Sequence, residues 1–286
     1  MAVLLEKPWG APRVDAETSV HATSRLTLGI AGIGAWARGA PDWLILRALL
    51  RGEADWRDDA PGKPAAGILP PGERRRAPES VLLAAEVAGQ ACAAAGREAG
   101  SLPCVFASTQ GELSITDYMC ATLATAPQEL SPTKFHNSVH NAPAGYWTIA
   151  AQCTAGSSAV TGYHASFGAG LLEAVALAIA DDTPVLFAAY DIGASGPLME
   201  MARATRAFGV AVVLTPGGDA LPRISIATRN ADAAVTPAPA CVAELARDNP
   251  LNAHALAFLA AVAGAASPCL TLPAASGLIL DMEVHS

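Results

Sequence analysis

Apolar positions along this chain fall into short continuous runs that alternate with stretches of helical spacing. Residues 25–33 (RLTLGIAGI) form an apolar run bounded by glycine and predict a first buried strand. Residues 41–52 (PDWLILRALLRG) carry helical spacing that stops at glycine. The Pro- and Gly-rich residues 58–71 read as a loop. Residues 80–96 predict an amphipathic helix whose polar stripe is Glu86, Gln90 and Arg97. A short strand over 102–108 and a turn leading into a helix near Gly111 follow, with that helix running to residue 126.

Residues 130–147 are dense in Pro, His and Asn and read as irregular, polar backbone, with a helix begun or continued over 148–153. Residues 155–163 have the small and β-branched content of a strand. The run SFGAGLLEAVALAIA at 166–180 is apolar nearly all round and predicts a buried helix. Residues 184–190 (PVLFAAY) and 209–214 (GVAVVL) predict strands covered on both faces. Residues 222–227 alternate and suggest an edge strand. A Pro/Ala linker near 236–240, a helix over 250–263 and a last strand over 276–284 complete the pattern. Strands alternating with helices imply a layered α/β fold, and there is no internal repeat.

Composition adds constraints. Of the 286 residues, 52% are hydrophobic and 15% charged, which supports a large core and excludes disorder. The small charged fraction also leaves little polar material to coat a monomer, which points to a covered apolar patch and a partner subunit. A net charge of −8 argues against nucleic acid, since the one basic run, Arg74-Arg75-Arg76, is too short for a phosphate-tracking surface and reads as a solvated turn. The six cysteines (92, 104, 120, 153, 241, 269) form no CxxC pair, so neither a zinc site nor a disulfide framework is expected. Scattered buried thiols suit a reducing, cytoplasmic location. Residues 1–23 read as a loosely held extension without signal-peptide character, and residues 24–286 as a single domain. The nearest approach to a membrane span, residues 251–263, is too short, so a soluble protein without membrane insertion is expected.

One order of blocks carries more information: LTLGIAGIGAW, GILPPGERRRAP, VFASTQGE, SPTKFHNSVHNAPAGYW, then a short strand, a tight turn, a small-residue helix and VLFAAYD. Together these resemble the β-ketoacyl synthases of the thiolase-like superfamily, and within them the short chain-length-factor-like branch associated with aryl polyene biosynthesis. The resemblance spans residues 25–230. It implies a thiolase-like layered αβα fold in truncated form, essentially the N-terminal half of a ketosynthase plus a short C-terminal remnant.

In that family the nucleophilic cysteine sits at a strained strand-to-helix turn, and the helix N-terminus lowers the thiol pKa and binds an acyl oxygen. Here the turn is Thr161-Gly162-Tyr163-His164-Ala165-Ser166, and counting back from VLFAAYD places His164 at the nucleophile position. Within a residue or two the alternatives are Tyr163, Ala165 and Ser166, and none is a thiol. The two family histidines that assist decarboxylative condensation come from the C-terminal half. After His164 only His254 and His285 remain, the first in an Ala/Leu-rich helix and the second at a frayed terminus.

The resemblance therefore implies no catalytic residue and no cofactor or metal. The implied role is a non-catalytic partner of an active β-ketoacyl-ACP synthase, a heterodimer that shapes the acyl tunnel and meets acyl carrier protein through the complex. His136, Asn137, His140 and Asn141 lie in a block placed by the resemblance near tunnel and interface. Pro132 and Pro143 bracket that block, which speaks for structural hydrogen bonding over an HxxxH metal pair. Tyr146, Trp147, Tyr163 and Phe167 are further tunnel or interface candidates, with ordinary core as the equal alternative for Tyr146, Trp147 and Phe167. The competing reading is an acyl-transferring or decarboxylating enzyme using Cys153, His164 or Ser166.

Overall fold

The computed structural model describes residues 25–57, 62–217, 222–230 and 233–286; the extension expected over 1–23 lies outside them. Strand β1 (Leu26–Ala37) leads into α1 (Trp43–Leu50), started by Asp42, whose Oδ1 accepts from the Ile45 amide at 2.9 Å. A short basic helix α2 (Pro71–Arg76) precedes the long α3 (Glu79–Ala95), which ends on Gly96 in the left-handed conformation. The Arg74-Arg75-Arg76 run is thus helical rather than a turn. Next come β2 (Cys104–Ala107), α4 (Leu113–Thr125), α5 (Pro132–His136), α6 (Ala142–Ala150), β3 (Ser157–Val160) and α7 (Ser166–Ala180). The chain continues through β4 (Val185–Asp191), α8 (Leu198–Ala202), β5 (Phe208–Thr215), β6 (Arg223–Asn230), α9 (Ala243–Asp248), α10 (Ala253–Val262), β7 (Cys269–Ala275) and β8 (Leu278–His285).

All eight strands join one mixed sheet in the order β3-β2-β4-β5-β1-β6-β8-β7. β2 runs parallel to β3 and β4; every other pair is antiparallel. β4 is buried along its whole length and β5 nearly so, as continuous apolar runs require. On one face lies α3, which settles onto β1 because Gly32 and Gly34 leave no Cβ in its way. A Cβ on Gly32 would come within 2.5 Å of the Ala95 amide nitrogen. The polar stripe of α3 works as a set of tethers: Glu86 accepts from the Ala66 amide (2.6 Å), and Gln90 donates to the Pro41 carbonyl (2.8 Å). Trp147 of α6 packs on the same face against Phe106, ring centroids 6.2 Å apart.

On the other face the sheet curls over α7. Successive residues turn by about 100° around a helix, so Gly168 and Gly170 look in nearly opposite directions. A Cβ on Gly170 would press on Ala107 at 2.6 Å and on the Phe187 ring at 2.7 Å, on β2 and β4. One on Gly168 would land within the Pro273 carbonyl of β7, at the far end of the strand order. The helix is therefore enclosed between the start and the end of the same sheet, and Phe167 joins Phe187 and Phe258 of α10 in the core there.

Several expectations change. Residues 130–147 are not irregular: Pro132 and Pro143 stand in the first turns of α5 and α6, where a missing amide costs nothing, so they start helices. β6 is not an edge strand, because β8 pairs along its full length from Arg223↔His285 to Asn230↔Leu278. His285 is accordingly part of the sheet, its Nε2 3.0 Å from the Ser225 hydroxyl, and not frayed. β7 was absent from the sequence reading; Pro273 inside it is tolerated at an edge. That edge is covered: the Thr236 amide donates to the Thr271 carbonyl (2.9 Å), and the Thr271 amide donates to the Thr236 hydroxyl (2.8 Å). The opposite edge, β3, alternates between exposed and half-buried, and among the described residues no further strand pairs with it. The cysteines are not uniformly buried, since Cys120, Cys241 and Cys269 are exposed. One described stretch, Tyr163–Ala180, has the length and hydropathy of a membrane span. It carries Glu173, and half of it is buried as the enclosed α7.

Candidate functional site

The turn between β3 and α7 is where the sequence placed it. A 3-10 turn, Tyr163–Ala165, leads into α7, and Tyr163 takes the left-handed conformation at φ 54°. Such a backbone costs a bulky residue about 1–3 kcal/mol, so other bonds must hold it. Ser166 supplies two: its hydroxyl donates to the Tyr163 carbonyl (2.7 Å) and accepts from the Gly162 amide (3.0 Å). Ser166 is buried and fully occupied in this brace, unlike a nucleophile. The Tyr163 ring stacks on His164, centroids 4.0 Å apart, and both side chains are exposed.

Beneath the turn lies the loop 108–111. Thr161 donates to the Thr109 carbonyl (3.2 Å), while the Thr109 hydroxyl reaches the carbonyls of Tyr163 and Leu251, each at 3.3 Å. This draws the start of α10 toward the turn and sets His254 near His164. Burial pushes the His254 pKa down, and the His164 charge pushes it further in the same direction. At the loop's base, the fully buried Asp191 accepts from the Ser108 hydroxyl (2.8 Å) and the Thr109 amide (2.9 Å). Among the described residues no group of three or more His, Cys, Asp or Glu is placed to hold a metal ion.

A second feature is a cavity of about 660 Å³ lined by α6 and by the approaches to α2 and α6. His136, Asn141 and Tyr146 line it, together with Val139, Gly145 and Ile149. Asn137 lies just behind, buried, and accepts the Tyr146 hydroxyl at 3.1 Å. His140 turns away toward the loop, its Nε2 3.0 Å from the Ser108 carbonyl. Ile149 is 80% exposed, and Val139 and Phe135 are exposed beside it, so the cavity opens onto an apolar surface.

The structure therefore divides the expected residues. His136, Asn141 and Tyr146 meet at the cavity, with Asn137 as support; Tyr163 and His164 meet at the turn; and His140 lies close to the loop between them. Trp147 and Phe167 are enclosed core residues, 0% and 2% exposed, held by aromatic neighbours rather than standing in an open wall. Cys153 lies at the other end of β3 from the turn and donates to the Leu102 carbonyl at 3.4 Å. Thr109, Asp191 and His254 were not foreseen as parts of the site. Asp191 was marked only by a lone acid closing the apolar run VLFAAY.

Residues 51–271 match the family model described as "Beta-ketoacyl synthase, N-terminal domain". The chain belongs to the β-ketoacyl synthase family. No curated protein matches it. Among solved structures, this β-ketoacyl synthase domain is similar to a chain of the ketosynthase ApeO in complex with its chain length factor ApeC from Xenorhabdus doucetiae. That likeness has a TM-score of 0.67 and 24% identity, and covers 90% of this chain and 99% of the other. The ishigamide ketosynthase/chain length factor gives a TM-score of 0.61 at 16% identity, covering 90% and 99%. A β-ketoacyl synthase from Burkholderia phymatum STM815 gives 0.57 at 14%, covering 83% and 71%. At these identities the fold is what is shared, and it is thiolase-like. The tip of the β3–α7 turn in this β-ketoacyl synthase domain is Tyr163-His164.

Proposed function

We propose that this chain is a non-catalytic, chain-length-factor-like partner of an active β-ketoacyl-ACP synthase, working in the cytoplasm on an aryl polyene or similar fatty-acid-like product. The observation that carries the reading is the turn itself. Where the family chemistry needs a thiolate at a helix N-terminus, this chain presents an exposed imidazole, with the Tyr163 ring against it and a second imidazole, His254, nearby. Neither forms an acyl thioester, so a growing chain would have to be held by another subunit.

The open β3 edge supports a partner that extends the sheet strand to strand. The cavity beside Tyr146 and the exposed Phe135, Val139 and Ile149 support an apolar joint in which a tunnel wall is shared. The solved likenesses that are themselves ketosynthase–chain length factor assemblies favour the same kind of partner. The basic helix α2, whose Glu73 lines that cavity, suits the acidic surface of an acyl carrier protein arriving at the complex.

The test is co-expression with the ketosynthase of its own pathway, followed by size-exclusion chromatography and product analysis. A 1:1 complex, with product length altered by Gly145→Leu at the cavity wall, is expected. A chain that never binds that ketosynthase overturns the proposal. The enzyme reading is disfavoured by the positions of its residues: Ser166 is locked in the turn's brace and Cys153 is far from it. Mass spectrometry after incubation with acyl carrier protein thioesters separates the two readings, since a covalent acyl adduct on Cys153, His164 or Ser166 belongs to the enzyme alone.

A further inference from the structure

Strand β4 is apolar until its last residue, and that residue is a fully buried acid. No cation meets the Asp191 carboxylate among the described residues; its partners are the Ser108 hydroxyl, the Thr109 amide and hydroxyl, and the Gln110 amide. The Ser108 hydroxyl in turn accepts from the Gly111 amide at 2.9 Å, so one carboxylate organises the whole 108–111 loop. That loop holds the β3–α7 turn through Thr161 and the Tyr163 carbonyl, and the segment ahead of α10 through the Leu251 carbonyl, all by way of Thr109. The Asp191 backbone carbonyl is fixed separately, by the Asn249 amide group at 2.9 Å.

We propose that Asp191 is a positioning residue whose protonation state sets how firmly the 108–111 loop grips the turn carrying Tyr163 and His164, making the shape of that turn pH-sensitive. The reason is the strength of the bonds. A hydrogen bond to an ionised carboxylate is roughly twice as strong as one between neutral groups. Proton uptake also gives the carboxyl a donor of its own, which competes for the Ser108 hydroxyl. Ionised Asp191 therefore draws the Ser108 hydroxyl and Thr109 amide in, and neutral Asp191 releases them.

Burial pushes its pKa up to about 6, with the donors of Ser108, Thr109 and Gln110 opposing a further rise. The change thus falls within the range a cell can visit. Other titratable groups face the loop and the turn, among them His254, which lies near His164 with its pKa lowered by burial. Glu112 binds the Ser80 amide at 3.1 Å, and Tyr190 is buried, its pKa raised by burial. Arg206 pairs with Asp248 at 3.1 Å, and His140 contacts the Ser108 carbonyl. The inference concerns the turn's geometry and stands whether or not a partner subunit binds.

The experiment is an amide-resolved NMR titration of the ¹⁵N-labelled chain from pH 5 to pH 8. It is run in a His140→Gln/His164→Gln/His254→Gln background so that no imidazole beside the loop or the turn contributes to the readout. The amides of Thr109, Gly111, Gly162 and Tyr163 are expected to shift with one common midpoint near 6. In Asp191→Asn those shifts vanish. In Thr109→Val/Thr161→Val, which keeps the backbone contact to Asp191 and removes both hydroxyl links to the turn, the residue-109 amide still titrates, at a higher midpoint because a donor to the carboxylate is lost, while the Tyr163 amide does not. The inference is overturned if Gly162 and Tyr163 fail to follow the Thr109 midpoint, if that midpoint lies below 5, or if the double variant leaves the Tyr163 titration intact.

Discussion

Replacing Phe167 with alanine tests whether α7 is enclosed between the two ends of the sheet. The ring is 2% exposed and packs against Phe187 on β4 and Phe258 on α10, with centroids 5.5 Å and 5.6 Å away. Removing a buried phenylalanine costs about 3–5 kcal/mol, the larger figures belonging to sites that cannot collapse. This site is of that kind. Gly168 touches the backbone of β7 and Gly170 touches β2 and β4, so the helix has no room to shift into the void. A loss of about 4–5 kcal/mol is expected, which for a chain of this size lowers Tm by roughly 8–20 °C. Urea and thermal unfolding followed by far-ultraviolet circular dichroism and tryptophan fluorescence supply the measurement, and coincidence of the two probes checks two-state behaviour. Leu44→Ala, at a side chain 66% exposed, serves as control and should stay within about 0.5 kcal/mol. A Phe167→Ala loss under about 1.5 kcal/mol would refute the reasoning, because the ring would then have an open side.

Asp191 gives a stability prediction of definite sign. Its folded pKa is raised from 3.8 to about 6, so its stabilising contribution is complete below about pH 4 and is lost as pH rises through 6. At about 1.4 kcal/mol per unit this amounts to roughly 3 kcal/mol, and Asp191→Asn, compared with the parent from pH 4.5 to pH 7.5 by urea unfolding, should remove that decline. Ile149→Asp should leave Tm of the free chain unchanged while weakening binding to the pathway ketosynthase at least about tenfold by calorimetry, since Ile149 is 80% exposed beside the cavity. His164→Cys should yield a thiol that reacts with iodoacetamide yet gives no condensation product with malonyl and acyl carrier protein thioesters, because restoring sulfur does not restore the second half of the chemistry.

What could be read from the sequence was whatever local composition decides. The bounds of α7 and the double-sided burial of β4 and β5 follow from runs apolar all round, and they were legible. The partner of β6 was not, because β8 lies some fifty residues further on and nothing local announces the pairing. Helices α5 and α6 were hidden by prolines that read as breakers but occupy first-turn positions. At the site, the tight turn ahead of α7 was legible from its small residues, while the exposure of His164 was not. The separation of Tyr146 from Trp147, one at a cavity wall and one in the core, was not, because adjacent helical residues face different directions and only the packed neighbours decide which is which. The approach of His254 to His164 depends on the Thr109 bridge, which joins three segments distant in sequence.

The two borders of the sheet are unlike one another. The Thr236 segment and Pro273 deny the β7 side to any incoming strand, while β3 offers its amides and carbonyls freely. With a single open border among the described residues, the sheet can close a pair but not seed a fibril strand upon strand, because each union consumes that border. If the ketosynthase proposed above docks on β3, it and a second copy of this chain contend for one strand, and the ratio in which the two are synthesised governs how much of the mixed pair a cell contains.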